Sequence, residues 1–502
     1  MANSIRRLAG QTAIYGVSTI TMRLLNYLLV PVYTNYFSPE EFGVVSEMYS
    51  YVAILIVLLT HGMETAFFRF SQQEDQKKES IFSTSFSSVF TLAFIFLAVV
   101  VLFRQEFANL LRYPENTEYI VWFAIIIALD ALMAIPFARL RAENRPIRFA
   151  SIKLTGIGVN IFVVLFFIVA CPWLLDNGSA ATVAFINSIY NPEIGVGYVF
   201  ISNLIASAVM ATLLLPVIFR QKLEFSYPIW RKMLFYAFPL LIAGFAGIIN
   251  EALDKILLKY LLPEDIAMSQ LGIYGACYKV SVMMILFIQA YRFAAEPFFF
   301  SEYKNENAQI LYARVMKVFV VTCLFIFLGI MLYMDIVQYF IGKDFREGLD
   351  IVPILLIAHI FLGIYLNLSI WYKLTGQTHF GATIAAVGAI ITIGFNVWLI
   401  PVIGYHASAW AHLVCNMSIT LISWKLGQKY YPVPYDIGKI SLFMVSALAV
   451  YFLHGLIPEI SRIVNWIISA VFLMIFATAV LATDAEARET LKPLLKKLKL
   501  PL

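Results

Sequence analysis

Apolar runs of about twenty residues recur from one end of this chain to the other, and that recurrence narrows the possible folds more than any other feature. A helix rises ~1.5 Å per residue, so about twenty apolar residues cross ~30 Å of hydrocarbon. The runs are continuous rather than alternating in ~10-residue pieces, which argues against a β-barrel. Composition agrees: 61% of the 502 residues are hydrophobic and only 13% are charged. The chain reads as an all-α polytopic membrane protein.

Charged residues and Pro/Gly/Asn clusters between the runs place fourteen spans. They fall near 10–36, 43–69, 81–103, 118–140, 148–172, 195–219, 230–260, 268–299, 311–334, 350–374, 379–401, 404–424, 438–457 and 463–483. Counted from the first, odd-numbered junctions are poor in Lys and Arg: "TNYFSPEEF", "PVIGY" and the weakly acidic stretch 173–194 carry none. Even-numbered junctions are basic, as in "SQQEDQKKES", "RLRAENRPIR" and "RQKLEFSYPIWRK". Basic residues favour the cytoplasmic face, so both termini, "SIRRL" and "LKPLLKKLKL", are expected there, in a bacterial inner membrane. The first span follows a basic start without the short apolar core and cleavage site of a secretory signal, and is expected to stay in the mature protein. Leu491, Leu494, Leu495 and Leu498 recur opposite Lys492, Lys496, Lys497 and Lys499, which suits either a helix on the inner leaflet or a solvated tail.

Cys171, Cys277, Cys323 and Cys415 lie in or beside apolar segments without CxxC spacing, and read as small hydrophobes. No metal or cofactor is expected. The net charge of +5 is a topology signal and does not argue for nucleic acid.

The chain also echoes itself. In "YFSPEEFGVVSEMYSYVAILIVLL" and "YLLPEDIAMSQLGIYGACYKVSVMMILF", Tyr36 matches Tyr260, Pro39 matches Pro263, Gly43 matches Gly272 and Tyr49 matches Tyr278. A second echo joins "IGVGYVFISN" (194–203) to "IGYHASAWAH" (403–412). Both second copies fall six spans after the first, an offset that preserves membrane orientation and predicts a parallel repeat. The expected organisation is two pseudo-two-fold related six-helix lobes, 1–225 (spans 1–6) and 226–430 (spans 7–12). Spans 13–14 (431–484) and a basic amphipathic tail (485–502) follow.

Ionisable residues deep in a membrane are costly and mark function or pairing. Here they concentrate in spans 1, 2, 7 and 8. Thr12, Gly16, Thr19, Arg23 and Asn26 form one polar stripe on span 1. Span 2 brings Glu47, His61 and Glu64 to one side. Span 7 carries Asn250, Glu251, Asp254 and Lys255, and span 8 groups Gln289, Arg292 and Glu296, with Lys279 on another face. Glu251 and Lys255, four apart, read first as a local ion pair. His61 and Glu64 suit hydrogen bonds across helices as well as a ligand, and Lys153 lies near enough to an edge to snorkel. Arg69 and Arg139 read as topology anchors. Arg23 is the hardest to explain structurally, since mid-span Arg costs ~2.5–3.5 kcal/mol on insertion scales. It is expected to line a hydrated path.

Walls of Arg, Lys, Asn and Gln suit phosphate, whose oxygens match the guanidinium fork. No GxxxxGK[ST], HExxH or large extramembrane domain is visible, so a carrier rather than an enzyme is expected. "TAIYGVSTITMRLLNYLLVPVYTNYFSPEEFGV" with "HGMETAFFRF" resembles the opening of the bacterial polysaccharide transporter (oligosaccharide flippase) family. This family lies within the multidrug/oligosaccharidyl-lipid/polysaccharide exporter superfamily. "LGIYGACYKVSVMMILFIQAYRFAAEPFFF" resembles its span 8, and "LTGQTHF" with "NVWLIPVIGYHASAWAH" its C-terminal half, so the resemblance reaches about residue 430.

The resemblance implies two six-helix lobes alternating between inward-open and outward-open states around a cationic central cavity. It implies an undecaprenyl-pyrophosphate-linked oligosaccharide as substrate, for O-antigen, capsule or exopolysaccharide assembly. Arg23 and Arg292 sit at positions similar to basic cavity residues of the lipid II flippase branch. The expected substrate-binding set is Arg23, Asn26, Asn250, Lys279, Gln289 and Arg292; Glu47, His61, Glu64, Asp254 and Glu296 are candidates for ion coupling or gating. Partners on this reading are the lipid-linked substrate, membrane lipids, a coupling proton or sodium ion, and a polymerase with glycosyltransferases. A lipid II flippase, a cation-coupled multidrug exporter and a membrane-embedded glycan polymerase are the alternatives.

Overall fold

The computed structural model describes residues 20–21, 23–72, 78–220, 224–303, 305–458 and 461–484. The start of the first expected span, with Thr12, Gly16 and Thr19, and the basic tail lie outside them. Among the described residues the chain is helical throughout and contains no strand. Twelve helices among these residues are long and apolar enough to cross a membrane. They are α1 Pro39–Thr60, α2 Lys78–Leu102, α3 Thr117–Ala142, α4 Pro146–Asn177, α5 Gly197–Ile218, α6 Tyr227–Leu261, α7 Glu264–Glu302, α8 Ala308–Leu332, α9 Lys343–Leu374, α10 His379–Ile403, and, after α11, α12 Ile437–Gly455 and α13 Arg462–Thr483. Between α10 and α12 runs α11, His406–Tyr430, of spanning length but more polar, with Ser408, His412, Asn416, Thr420 and Ser423 all buried. Twelve of the fourteen expected spans thus meet the length and composition of a crossing helix, and α11 falls on a thirteenth.

The helix starts follow local chemistry. Ser38 caps α1 in a capping box, its hydroxyl accepting from the Glu41 main chain while the Glu41 carboxylate accepts from the Ser38 main chain; Pro39 occupies the first turn. Span 2, expected to run unbroken over 43–69, instead stops at Thr60. His61 (φ 33°) and Gly62 (φ 72°) are left-handed, and a new helix, Met63–Ser71, begins. The break admits α6: a Cβ on Gly62 would lie 2.9 Å from the Ala237 carbonyl oxygen. In α4 the backbone widens to a π-turn over Leu165–Ala170, just ahead of Pro172, which has no N–H to donate. The junction expected at 173–194 carries the last turn of α4 and an apolar helix of its own, Ala180–Ile189.

Polarity is inverted relative to a water-soluble fold. Glu47, Asp254, Asn396, Ser408 and Thr84 are fully buried, whereas Phe235, Leu102, Leu456 and Ile147 are more than three-quarters exposed. Hydrocarbon as solvent explains both: apolar side chains lose nothing by facing outward, and polar groups must be satisfied inside.

The chain divides into two compact units, Met1–Ala276 with Ala385–Ser408, and Cys277–Ile384 with Ala409–Leu502. In the first, Met133, Phe137, Leu140, Phe149, Ile152, Leu214 and Val217 join α3, α4 and α5 into one apolar cluster. In the second, Phe299 and Tyr312 pack with Ile370 and Val433.

The repeat expected from the two echoes reappears in the contacts within each unit. Asn203 donates to Tyr49 at 2.8 Å in the first unit; their matches, His412 and Tyr278, meet ring to ring at 5.7 Å in the second. Two echoes found separately in the sequence therefore describe one recurring contact. Gly43 and Gly272 also touch. A Cβ on Gly272 would lie 1.8 Å from the Pro39 carbonyl oxygen and 3.0 Å from the Gly43 nitrogen, so α1 and the start of α7 cross backbone to backbone.

Candidate functional site

In the first unit the candidate residues lie on α1, the break at His61, the helix Met63–Ser71, α6 and the helical residues 23–27. Arg23 and Asn26 are exposed, and the Glu251 carboxylate is the acidic charge that acts on Arg23. Next to Glu251 on α6, Asn250 accepts from the Thr392 hydroxyl at 3.0 Å; Asn396, held by Ser408 at 2.8 Å, continues the polar seam along α10. Asp254 is buried and accepts from the Tyr274 hydroxyl and from the Lys255 main chain at 2.8 Å, with the Lys255 ammonium at 3.3 Å. Lys255 reaches Glu251 through its carbonyl oxygen, at 3.1 Å. The ion pair read from the i,i+4 spacing is therefore replaced: Lys255 pairs with the neighbouring Asp254 carboxylate, which the spacing rule does not single out, and meets Glu251 at its main chain.

Glu47 is sealed off. Its Oε2 accepts from Lys259 Nζ at 2.8 Å and from the Tyr113 hydroxyl at 2.5 Å, and Lys259 also donates to the Leu111 carbonyl at 2.6 Å while lying 3.7 Å over the Tyr113 ring. Burial, then the neighbouring carboxylate, pushes the Tyr113 phenol well up, so it stays protonated and donates. His61 is likewise buried, with Nδ1 2.8 Å from the Leu59 carbonyl and Nε2 2.9 Å from the Ser88 hydroxyl, which also receives the Trp230 indole N–H at 2.9 Å. Glu64 accepts from Arg141 at 2.5 Å.

In the second unit Lys279 is exposed and Gln289 half-buried. Arg292 donates through Nε to Glu296 at 3.4 Å, and Lys373 bonds the other oxygen of the same carboxylate. Asn367 beside them accepts from Tyr291 at 2.6 Å. The cavity these residues line holds only ≈ 20 Å³, about one water, too little for a sugar or a pyrophosphate. Arg292, its side chain 52% exposed, has most of its fork outside that contact.

Sequence reasoning missed Lys259, Tyr113, Arg141 and Lys373. A signal for the last two was present: Arg141 follows Glu64 by 77 residues, and Lys373 follows Glu296 by 77. The repeat that pairs span 2 with span 8 also pairs span 4 with span 10, so each half carries a carboxylate on the earlier span bonded to a cation on the later one. Lys259 offered no such signal, since its partner lies 212 residues away.

These features define an all-α, multi-pass membrane protein whose halves repeat one polar plan. A family model described as "Polysaccharide biosynthesis protein" matches residues 8–303, more than half the chain, and the protein belongs to that family. Among solved structures, a lipid II flippase, MurJ, in an inward closed conformation is similar at TM-score 0.70 and 14% identity, over 94% of this chain and 99% of that one. A multidrug resistance MATE family transporter of the MOP superfamily, inward-facing, is similar at TM-score 0.64 and 14% identity, over 84% and 95%. A Vibrio cholerae MATE transporter is similar at TM-score 0.56 and 15% identity, over 84% and 96%. The fold is therefore that of flippases and exporters. No curated protein matches the chain by sequence.

Proposed function

We propose that this protein flips an undecaprenyl-pyrophosphate-linked oligosaccharide repeat unit across the bacterial inner membrane, for O-antigen, capsule or exopolysaccharide assembly. The task is to carry a charged, hydrated head group past ~30 Å of hydrocarbon while the polyprenyl tail stays in lipid. Spans 1–6 and 7–12 act as the alternating lobes, with spans 13 and 14 appended, around a cationic cavity walled by spans 1, 2, 7 and 8. Arg23 and Arg292, assisted by Lys279, hold the pyrophosphate; Asn26, Asn250 and Gln289 hydrogen-bond the sugars.

One observation carries this reading. Of the deep charges, Glu47 and Asp254 are buried in ion pairs, whereas Arg23 is exposed and Arg292, though paired with Glu296, keeps a side chain 52% exposed. A mid-span guanidinium is stable where it meets water or an anion, and a passing pyrophosphate is such an anion. The acidic residues then serve gating. Release of the Glu64–Arg141 or Glu296–Lys373 contact loosens one helix pair in that half. Membership in a polysaccharide biosynthesis family supports a saccharide cargo.

The test is flipping of a polyprenyl-pyrophosphate-linked oligosaccharide in proteoliposomes. Arg23→Ala and Arg292→Ala, at equal reconstituted protein, are expected to lower the rate at least tenfold each. Full activity in both removes the anion-binding element. Running lipid II and a cationic dye in the same vesicles separates the lipid II and multidrug readings, since faster transport of either reassigns the cargo.

A further inference from the structure

At the end of the helices that carries two of the basic junctions, three guanidiniums converge on one carboxylate. Arg139 near the end of α3 is buried: its Nε donates to Glu143 Oε1 at 2.7 Å, another nitrogen donates to the Val217 carbonyl at 3.2 Å, and its plane lies 4.4 Å over the Phe82 ring. Arg145, in the turn before α4, and Arg220, just beyond α5, both lean on the other oxygen, Oε2, at 3.0 and 3.5 Å. Together with Glu79 they line an open hollow of ≈ 550 Å³. Among the described residues three cations face two carboxylates there, and their sum is positive.

Arg139 is a structural post, anchored on three sides. Arg145 and Arg220 are not: their side chains are 42% and 55% exposed, and each uses one nitrogen on a shared oxygen although a guanidinium has five N–H donors. Two such forks side by side are arranged for an oxyanion with several oxygens. Their surroundings distinguish a lipid from a dissolved ion. Ile147, two residues after Arg145, is 76% exposed, and Phe219, next to Arg220, is 69% exposed. Side chains of that kind belong at the acyl boundary, which sets the two arginines at headgroup depth.

We propose that Arg145 and Arg220 form a binding site for the phosphodiester headgroup of an anionic phospholipid, held against the α3, α4 and α5 ends by the Arg139–Glu143 post. The hollow has room for one such headgroup. The site uses none of the residues assigned above to the cargo.

Native mass spectrometry of the full-length protein in micelles tests it, using phosphatidylglycerol and phosphatidylcholine of the same acyl chains. Phosphatidylglycerol is expected to be retained preferentially. Arg145→Gln and Arg220→Gln, both at exposed positions, are expected to weaken that retention about fivefold each, from ~1 kcal/mol per basic residue near an anionic surface. Unchanged melting temperatures of the variants would confirm that folding is intact. Equal retention of the two lipids, or of phosphatidylglycerol by wild type and the double variant, overturns the site. Displacement of phosphatidylglycerol by inorganic phosphate at matching concentration assigns the forks to a soluble anion and overturns the lipid assignment.

Discussion

At the residue scale, the buried Glu47–Lys259 pair shows what a low-dielectric interior demands. Neither side chain would be stable there alone, and together they are held only because Tyr113 and the Leu111 carbonyl satisfy further valences. Removing one partner is therefore worse than removing both. Lys259→Met is expected to cost about 3–5 kcal/mol. The double variant Glu47→Gln/Lys259→Met should recover part of that loss, as read from thermal melting in detergent. A single variant that melts with the wild type would show the pair to be solvated. Arg23 illustrates the opposite case. Its position in a polar stripe was legible in the sequence, and the structure leaves it exposed, but its electrostatic neighbour Glu251 lies more than two hundred residues along and no local rule names it.

At the element scale, the crossing of α1 with α7 depends on the absence of side-chain volume at two points. Gly272→Ala would place a methyl 1.8 Å from the Pro39 carbonyl oxygen, a backbone atom that cannot rotate away. Gly275→Ala would meet the Ser46 hydroxyl at 2.4 Å, and a serine side chain can turn. Gly329 has nothing within 4 Å of its added carbon. The expected order in melting experiments is a loss of about 1–3 kcal/mol for Gly272→Ala, less for Gly275→Ala, and a gain of about 0.4–1 kcal/mol for Gly329→Ala in mid-helix. Equal effects at the three positions would remove close packing as the cause. The positions of spans 3 to 11, 13 and 14 could be read from apolar run length because that is a local property. The break at His61–Gly62 could not, because it answers to the approach of α6.

At the scale of the whole molecule, the duplicated carboxylate–cation pair is the feature that organises the charges. Glu64 with Arg141 and Glu296 with Lys373 perform the same task in each half, holding an early helix to a later one. If they are equivalent, reversing charge should affect them alike. Glu64→Lys and Glu296→Lys are each expected to slow transport and lower melting temperature. The exchanges Glu64→Arg/Arg141→Glu and Glu296→Lys/Lys373→Glu should restore both in part. Rescue in one half only would show that the repeat is one of fold and not of mechanism.

The sequence alone determined the class and the positions of most spans, and its two echoes predicted a repeat. Each of these rests on local patterns, because a run of apolar residues must find hydrocarbon wherever it is placed and a copied segment keeps its spacing. Only the tertiary structure decided which charge answers which. Glu47 with Lys259, Asn250 with Thr392 and Arg220 with Glu143 are meetings of residues far apart in the chain. Inside a bilayer a charge must find some partner, but which partner depends on the helix that packs beside it.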